Sequence, residues 1–165
     1  MFEHVGYKNY TTFMDVARRC LAEEGLFLLH SIATNKSVRQ CDSWFDKYIF
    51  PNGMLPSIKQ LGEAIEDKFI MEDWQNIGAH YDKTLLAWYA NFINSWDELK
   101  NEYNERFFRM WRYYLLSVAG GFRARNMQVW QVVLSPEGLV GGYPDFQWTR
   151  RHLSENQEVR QELRN

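Results

Sequence analysis

Gly25-Leu26-Phe27-Leu28-Leu29-His30-Ser31-Ile32 is the stretch that decides how this chain folds. A short apolar run after a glycine reads as a strand of a parallel sheet with both faces covered. Just upstream, Phe13, Val16, Ala17, Cys20 and Leu21 recur at helical spacing, with Asn9 as cap and Gly25 past the end. Helix, glycine, buried strand is the rhythm of an α/β fold.

Working downstream, residues 33–55 are polar, then aromatic, and read as a long loop, either functional or holding a small element. Pro56 suits the first turn of a helix running to about Asp67, with Ile58, Leu61 and Ile65 inward. Phe69-Ile70-Met71 is a second strand. Leu85, Trp88, Tyr89, Phe92 and Trp96 line one face of a helix from about Asp82 to Tyr103. Residues 105–123 are apolar on nearly every side, which predicts a buried helix. Met127 to Leu134 is a third strand. The last thirty residues are polar, with Gly141, Gly142 and Pro144, then a charged helical end over 154–163.

The 165 residues suffice for one domain, and 45% apolar with 24% charged residues is globular usage. Aromatic residues make up 16% of the chain, which points to an aromatic core or an apolar pocket. A net charge of −2 argues against a nucleic-acid footprint, which would be strongly basic. No apolar run reaches spanning length, and the start lacks a signal-peptide layout. Cys20 and Cys41 stand apart, with no metal spacing, so a reduced, cytoplasmic setting is expected. Glycine-rich phosphate loops, zinc signatures and nucleophile elbows are lacking from these residues.

Candidate chemistry lies in polar residues with apolar neighbours. His30 sits within the first strand, as a core histidine bonded to a carbonyl or as a ligand. Glu3 is an exposed charge or a site carboxylate. Tyr81 is a core-edge aromatic or a site phenol. Glu72 and Asp73 follow the second strand and read as a solvated turn. The arginines between 106 and 125 snorkel from a packed helix or line a lipid tunnel.

The order of blocks says more. Phe2-Glu3-His4-Val5-Gly6, Phe27-Leu28-Leu29-His30 and Asp46-Lys47-Tyr48-Ile49-Phe50-Pro51-Asn52-Gly53 resemble the cyclopropane-fatty-acyl-phospholipid synthases and their mycolic-acid relatives. Met71-Glu72-Asp73-Trp74, Tyr81-Asp82-Lys83-Thr84-Leu85 and Arg109-Met110-Trp111-Arg112-Tyr113-Tyr114-Leu115 continue the match. Gly121-Phe122-Arg123-Ala124-Arg125 and Gln128 to Val133 complete it, over residues 1 to about 134.

The resemblance implies the carboxy-terminal half of a class I S-adenosylmethionine-dependent methyltransferase, Rossmann-like, with a helical insertion over an acyl pocket. It implies methylene transfer from S-adenosylmethionine to the cis double bond of a phospholipid acyl chain. A bound bicarbonate would act as base, held by Glu3, His30, Tyr81 and the backbone N–H of Ile32. Glu72 would be a supporting acid. Histidine, tyrosine and backbone groups can donate to carbonate oxygens, whereas an ionised glutamate can only accept. Gln75 departs from the family, which commonly carries histidine there.

In the family, the glycine-rich cofactor turn and a cysteine of the anion site precede the residue matching Glu3. Residues 1–134 are therefore expected to be a partial methyltransferase domain without the cofactor-binding half, and 135–165 a divergent polar tail. The implied partners are unsaturated phospholipid at a membrane surface and either a second copy or a separate amino-terminal half. No metal and no nucleic acid are implied, and the implied location is cytoplasmic, peripheral to the inner membrane. The competing expectation is a non-catalytic remnant that at most binds lipid.

Overall fold

The computed structural model describes residues 1–144. Two short 3-10 turns, Phe2–His4 and Tyr7–Asn9, lead into α1 (Tyr10–Cys20), then β1 (Phe27–Thr34). The long loop holds α2 (Ser43–Tyr48), followed by α3 (Ile58–Ile65) and β2 (Ile70–Asn76). Three helices, α4 (Gly78–Asn94), α5 (Trp96–Leu99) and α6 (Glu105–Arg123), precede β3 (Met127–Ser135). The strand order is β1-β3-β2, and β3 is antiparallel to both neighbours. The last strand thus lies between the other two.

Alternation along β1 sends Leu29, Ser31 and Ala33 into one face, where all are buried. On that face they meet Phe2, Tyr10, Met14, Leu61, Ala64 and Ile65 from the first turn, α1 and α3, with Trp130, Val132 and Leu134 of β3. The opposite face carries a second core, in which Leu85, Phe92, Leu115, Val118 and Phe122 of α4 and α6 pack toward Val129. Burial of each large apolar side chain contributes about 1.5–3 kcal/mol. This second core covers only part of its face: Leu28 is 56% exposed and His30 is exposed. The expectation that β1 is covered on both sides fails there, because no described helix reaches its first half.

Helix ends follow local chemistry. The Ser57 side chain accepts the Gln60 N–H at 3.2 Å while the Gln60 side chain accepts the Ser57 N–H at 3.0 Å. This capping box starts α3 at Ile58, so Pro56 precedes the cap and is not in the first turn. α4 begins at Gly78, earlier than the Asp82 expected, because the Asn76 side chain accepts the Gly78 N–H at 3.0 Å. It stops before Ser95, which splits the single helix predicted to Tyr103. α6 buries Tyr114, Leu115, Val118, Ala119 and Phe122 on one face only, since Tyr113 is 54% exposed and Arg109 and Arg112 are exposed.

β3 runs to Ser135, and the next residues dock: Arg18 pairs with Glu137, and Leu139 N–H is bound by Glu72. The polar stretch expected from residue 135 therefore begins inside the folded unit. The helix expected over 154–163 lies outside the described residues.

Candidate active site

Glu3 is positioned by its flanks. Phe2 is buried and stacks on Tyr10 with ring centroids 4.3 Å apart, and the Glu3 carbonyl accepts the Met54 N–H at 2.7 Å. The Glu3 carboxylate then reaches the Ile32 N–H at 2.7 Å. Among the described residues β1 is an edge strand, so this N–H, facing away from β3, is free to bind an oxygen. The second carboxylate oxygen lies 3.1 Å from the Met1 amino group. Burial alone would raise the Glu3 pKa, but the N–H groups of Glu3 and Ile32 and the Met1 ammonium outweigh it and hold the carboxyl below its ordinary value.

Two tyrosines, Tyr10 and Tyr81, feel the charge of this carboxylate, and a third, Tyr114, interacts with Tyr81. Tyr81, in the first turn of α4, packs its ring 5.0 Å from Phe122 and 5.9 Å from Trp88. Burial and then the Glu3 charge raise its phenol. Tyr10 is pushed up to about 12 by burial and then by Glu3, and its hydroxyl donates to the Met54 carbonyl at 3.0 Å. Tyr114 of α6 is raised by burial and then by Tyr81. Phe45, Phe50 and Trp111 pack around the Tyr114 ring at 6.3, 5.8 and 5.0 Å. The phenols are therefore neutral near neutral pH, as hydrogen-bond donors must be.

Gly78 makes this possible. A Cβ there would lie 2.8 Å from both Gln128 Cα and Val129 N, so α4 can start this close to β3 only with glycine.

Of the residues singled out from sequence, Glu3 and the Ile32 N–H are in direct contact, and Tyr81 lies within their electrostatic reach. His30 shares a sheet face with Ile32, two residues away, but it is exposed. Its Nδ1 is 3.3 Å from the Gln131 amide nitrogen. Glu72 lies where the β2 register shifts between Met71 and Asp73, and it accepts the Ser135 hydroxyl and the Leu139 N–H. Sequence reasoning assigned no role to Tyr10 or Tyr114. Tyr114 lies in a quoted block, but only packing shows which of Tyr113 and Tyr114 points inward. Among the described residues no cluster of His, Cys, Asp or Glu could hold a metal, and no helix is long and apolar enough to cross a membrane.

A sheet ending in β1-β3-β2 with helices on both faces, and a carboxylate at the β1 edge, has the fold of S-adenosylmethionine-dependent methyltransferases. A mycolic acid cyclopropane synthase solved with SAH and CTAB superposes with a TM-score of 0.73 at 28% identity, over 81% of this chain and 52% of that one. A cyclopropane synthase from Mycobacterium tuberculosis gives 0.74 at 24% identity, over 81% and 52%. The profile of the mycolic acid cyclopropane synthetase family matches residues 1–132, and the chain belongs to that family. A cyclopropane-fatty-acyl-phospholipid synthase of Escherichia coli K12 is 55% identical over 142 residues, 86% of this chain and 37% of the relative. A Citrobacter freundii protein of that description is 49% identical over 85 residues, 52% of this chain and 94% of that sequence. The chain thus spans little more than a third of the Escherichia coli relative's length.

Proposed function

We propose that this chain forms the anion-holding and acyl-binding part of a synthase that adds a methylene group from S-adenosylmethionine to the cis double bond of a phospholipid acyl chain. The observation that carries the reading is the contact of Glu3 with the Ile32 N–H, within electrostatic reach of Tyr81. The Ile32 N–H already binds one oxyanion, the Glu3 carboxylate, so the donor set fits a small oxyanion such as bicarbonate. With the Glu3 contact released, the Ile32 N–H, the Tyr81 hydroxyl and, on ring reorientation, His30 would donate to it, and the freed Glu3 carboxylate would accept its O–H. Bicarbonate held there supplies a base for the proton lost when the ring closes. The aromatic wall of Phe45, Trp111 and Tyr114 keeps water from a developing carbocation, and the ring faces favour positive charge. The reading implies lipid biosynthesis at the cytoplasmic face of the inner membrane.

The test grafts residues 1–132 into the Escherichia coli relative in place of its matching segment. The chimaera is expected to produce cyclopropane acyl chains, read by mass spectrometry of extracted lipids. A folded chimaera that binds S-adenosylmethionine but methylates no lipid would overturn the reading in favour of lipid binding alone. The 165-residue chain by itself, which has no glycine-rich cofactor loop, is expected to show no turnover.

A further inference from the structure

We propose that the outer face of α6 is a docking surface for an anionic lipid bilayer, a proposal that rests on the phospholipid reading above. Arg106, Arg109 and Arg112 follow at helical spacing, and among the described residues none of them pairs with a carboxylate. The chain as a whole carries a net charge of −2, so this run of three arginines stands out against a slightly acidic background. Apolar surface interleaves with it. Tyr113 is 54% and Leu116 37% exposed, and Trp44 of α2 packs edge-on against Tyr113 at 4.5 Å. Two open hollows of about 320 and 420 Å³ run between these side chains. Arginines whose stems lie on apolar surface, with Trp and Tyr at the same level, match the headgroup layer of a membrane, where phosphates sit above hydrocarbon. An acidic protein surface would match the charges but leave Tyr113 and Leu116 without a partner.

The position also serves the site. Tyr113 faces out and Tyr114 faces in on the same turn of α6. An acyl chain rising from a docked leaflet therefore crosses about one helix diameter, ~10–12 Å, to reach the aromatic wall. That is less than the ~15 Å half-thickness of a hydrocarbon core.

The test is flotation of the full chain with vesicles of saturated phosphatidylglycerol and phosphatidylcholine, which offer charge but no double bond. Binding is expected at low salt and lost on pure phosphatidylcholine. The R106Q/R109Q/R112Q triple variant is expected to bind about 100-fold more weakly, about fivefold per cation. A matched R19Q/K36Q/K59Q variant, with the same net charge, should keep most of the affinity. Equal loss in both variants, no binding by the folded chain, or patch-dependent retention on polyglutamate without vesicle binding would each sink the proposal. Vesicle binding with no methylene transfer in the chimaera leaves this docking surface standing and removes the functional reading. Transfer without patch-dependent binding removes the docking surface alone.

Discussion

The Glu3 carboxylate accepts the Ile32 N–H at 2.7 Å, joining a turn at residues 2–4 to the outer edge of β1. Replacing Glu3 by alanine leaves a half-buried N–H without its charged partner, a loss of about 1–3 kcal/mol. The pH dependence has a definite sign. A carboxyl held below its ordinary value of ~4.3 contributes stability that is complete above that value and is lost as pH falls through the lower folded value. Urea unfolding at pH 7 and pH 3 should therefore show a smaller acid loss for Glu3→Gln than for the unaltered chain. Equal acid losses would mean that the contact carries no energy.

Tyr10 tests the alkaline side. Its phenol is pushed up to about 12 by burial and by Glu3, so its stabilisation is complete below the ordinary value of ~10 and is lost as pH rises toward 12. Ultraviolet titration of phenolate should show a component near pH 12 that disappears in Tyr10→Phe. That variant also loses the hydrogen bond to the Met54 carbonyl, at a cost of about 1 kcal/mol.

Gly78 and Gly62 should respond in opposite directions. At Gly78 a methyl group meets β3 backbone at 2.8 Å, and Gly78→Ala is expected to cost about 1–3 kcal/mol and to shift the turn carrying Tyr81. At Gly62, inside α3, the added methyl meets nothing within 4 Å, and Gly62→Ala is expected to gain about 0.5–1 kcal/mol. Thermal melts of the two variants check both signs.

Tyr81→Phe separates chemistry from packing. The ring contacts with Phe122 and Trp88 survive, so stability should change by less than about 0.5 kcal/mol. In the chimaera, loss of one donor to the oxyanion is expected to reduce turnover by about 100-fold or more. Unchanged turnover would assign Tyr81 to the core alone.

Much of this was legible in the residue order. Periodicity located three strands and the main helices, because apolar spacing reports which side of an element meets a core. The collinear blocks pointed to the family and to Glu3, His30, Ile32, Glu72 and Tyr81. Spacing along the chain is blind to other things. Ser57 and Asn76 set helix starts through side-chain bonds, displacing the starts expected at Pro56 and about Asp82. The β2 register shifts between Met71 and Asp73, and Glu72 accepts the Ser135 hydroxyl and the Leu139 N–H, partners that no pattern in Met71-Glu72-Asp73 announces.

The sequence by itself determined the elements, the class of fold and the inventory of donors and acceptors, since these follow from local propensity and side-chain chemistry. Only the tertiary structure decided that β3 inserts between β1 and β2, that His30 faces solvent, and that Tyr10 and Tyr81 share one electrostatic neighbourhood with Glu3. The reason is physical: pairing order and burial arise from contacts between residues far apart in the chain, and their energies depend on what else is packed beside them.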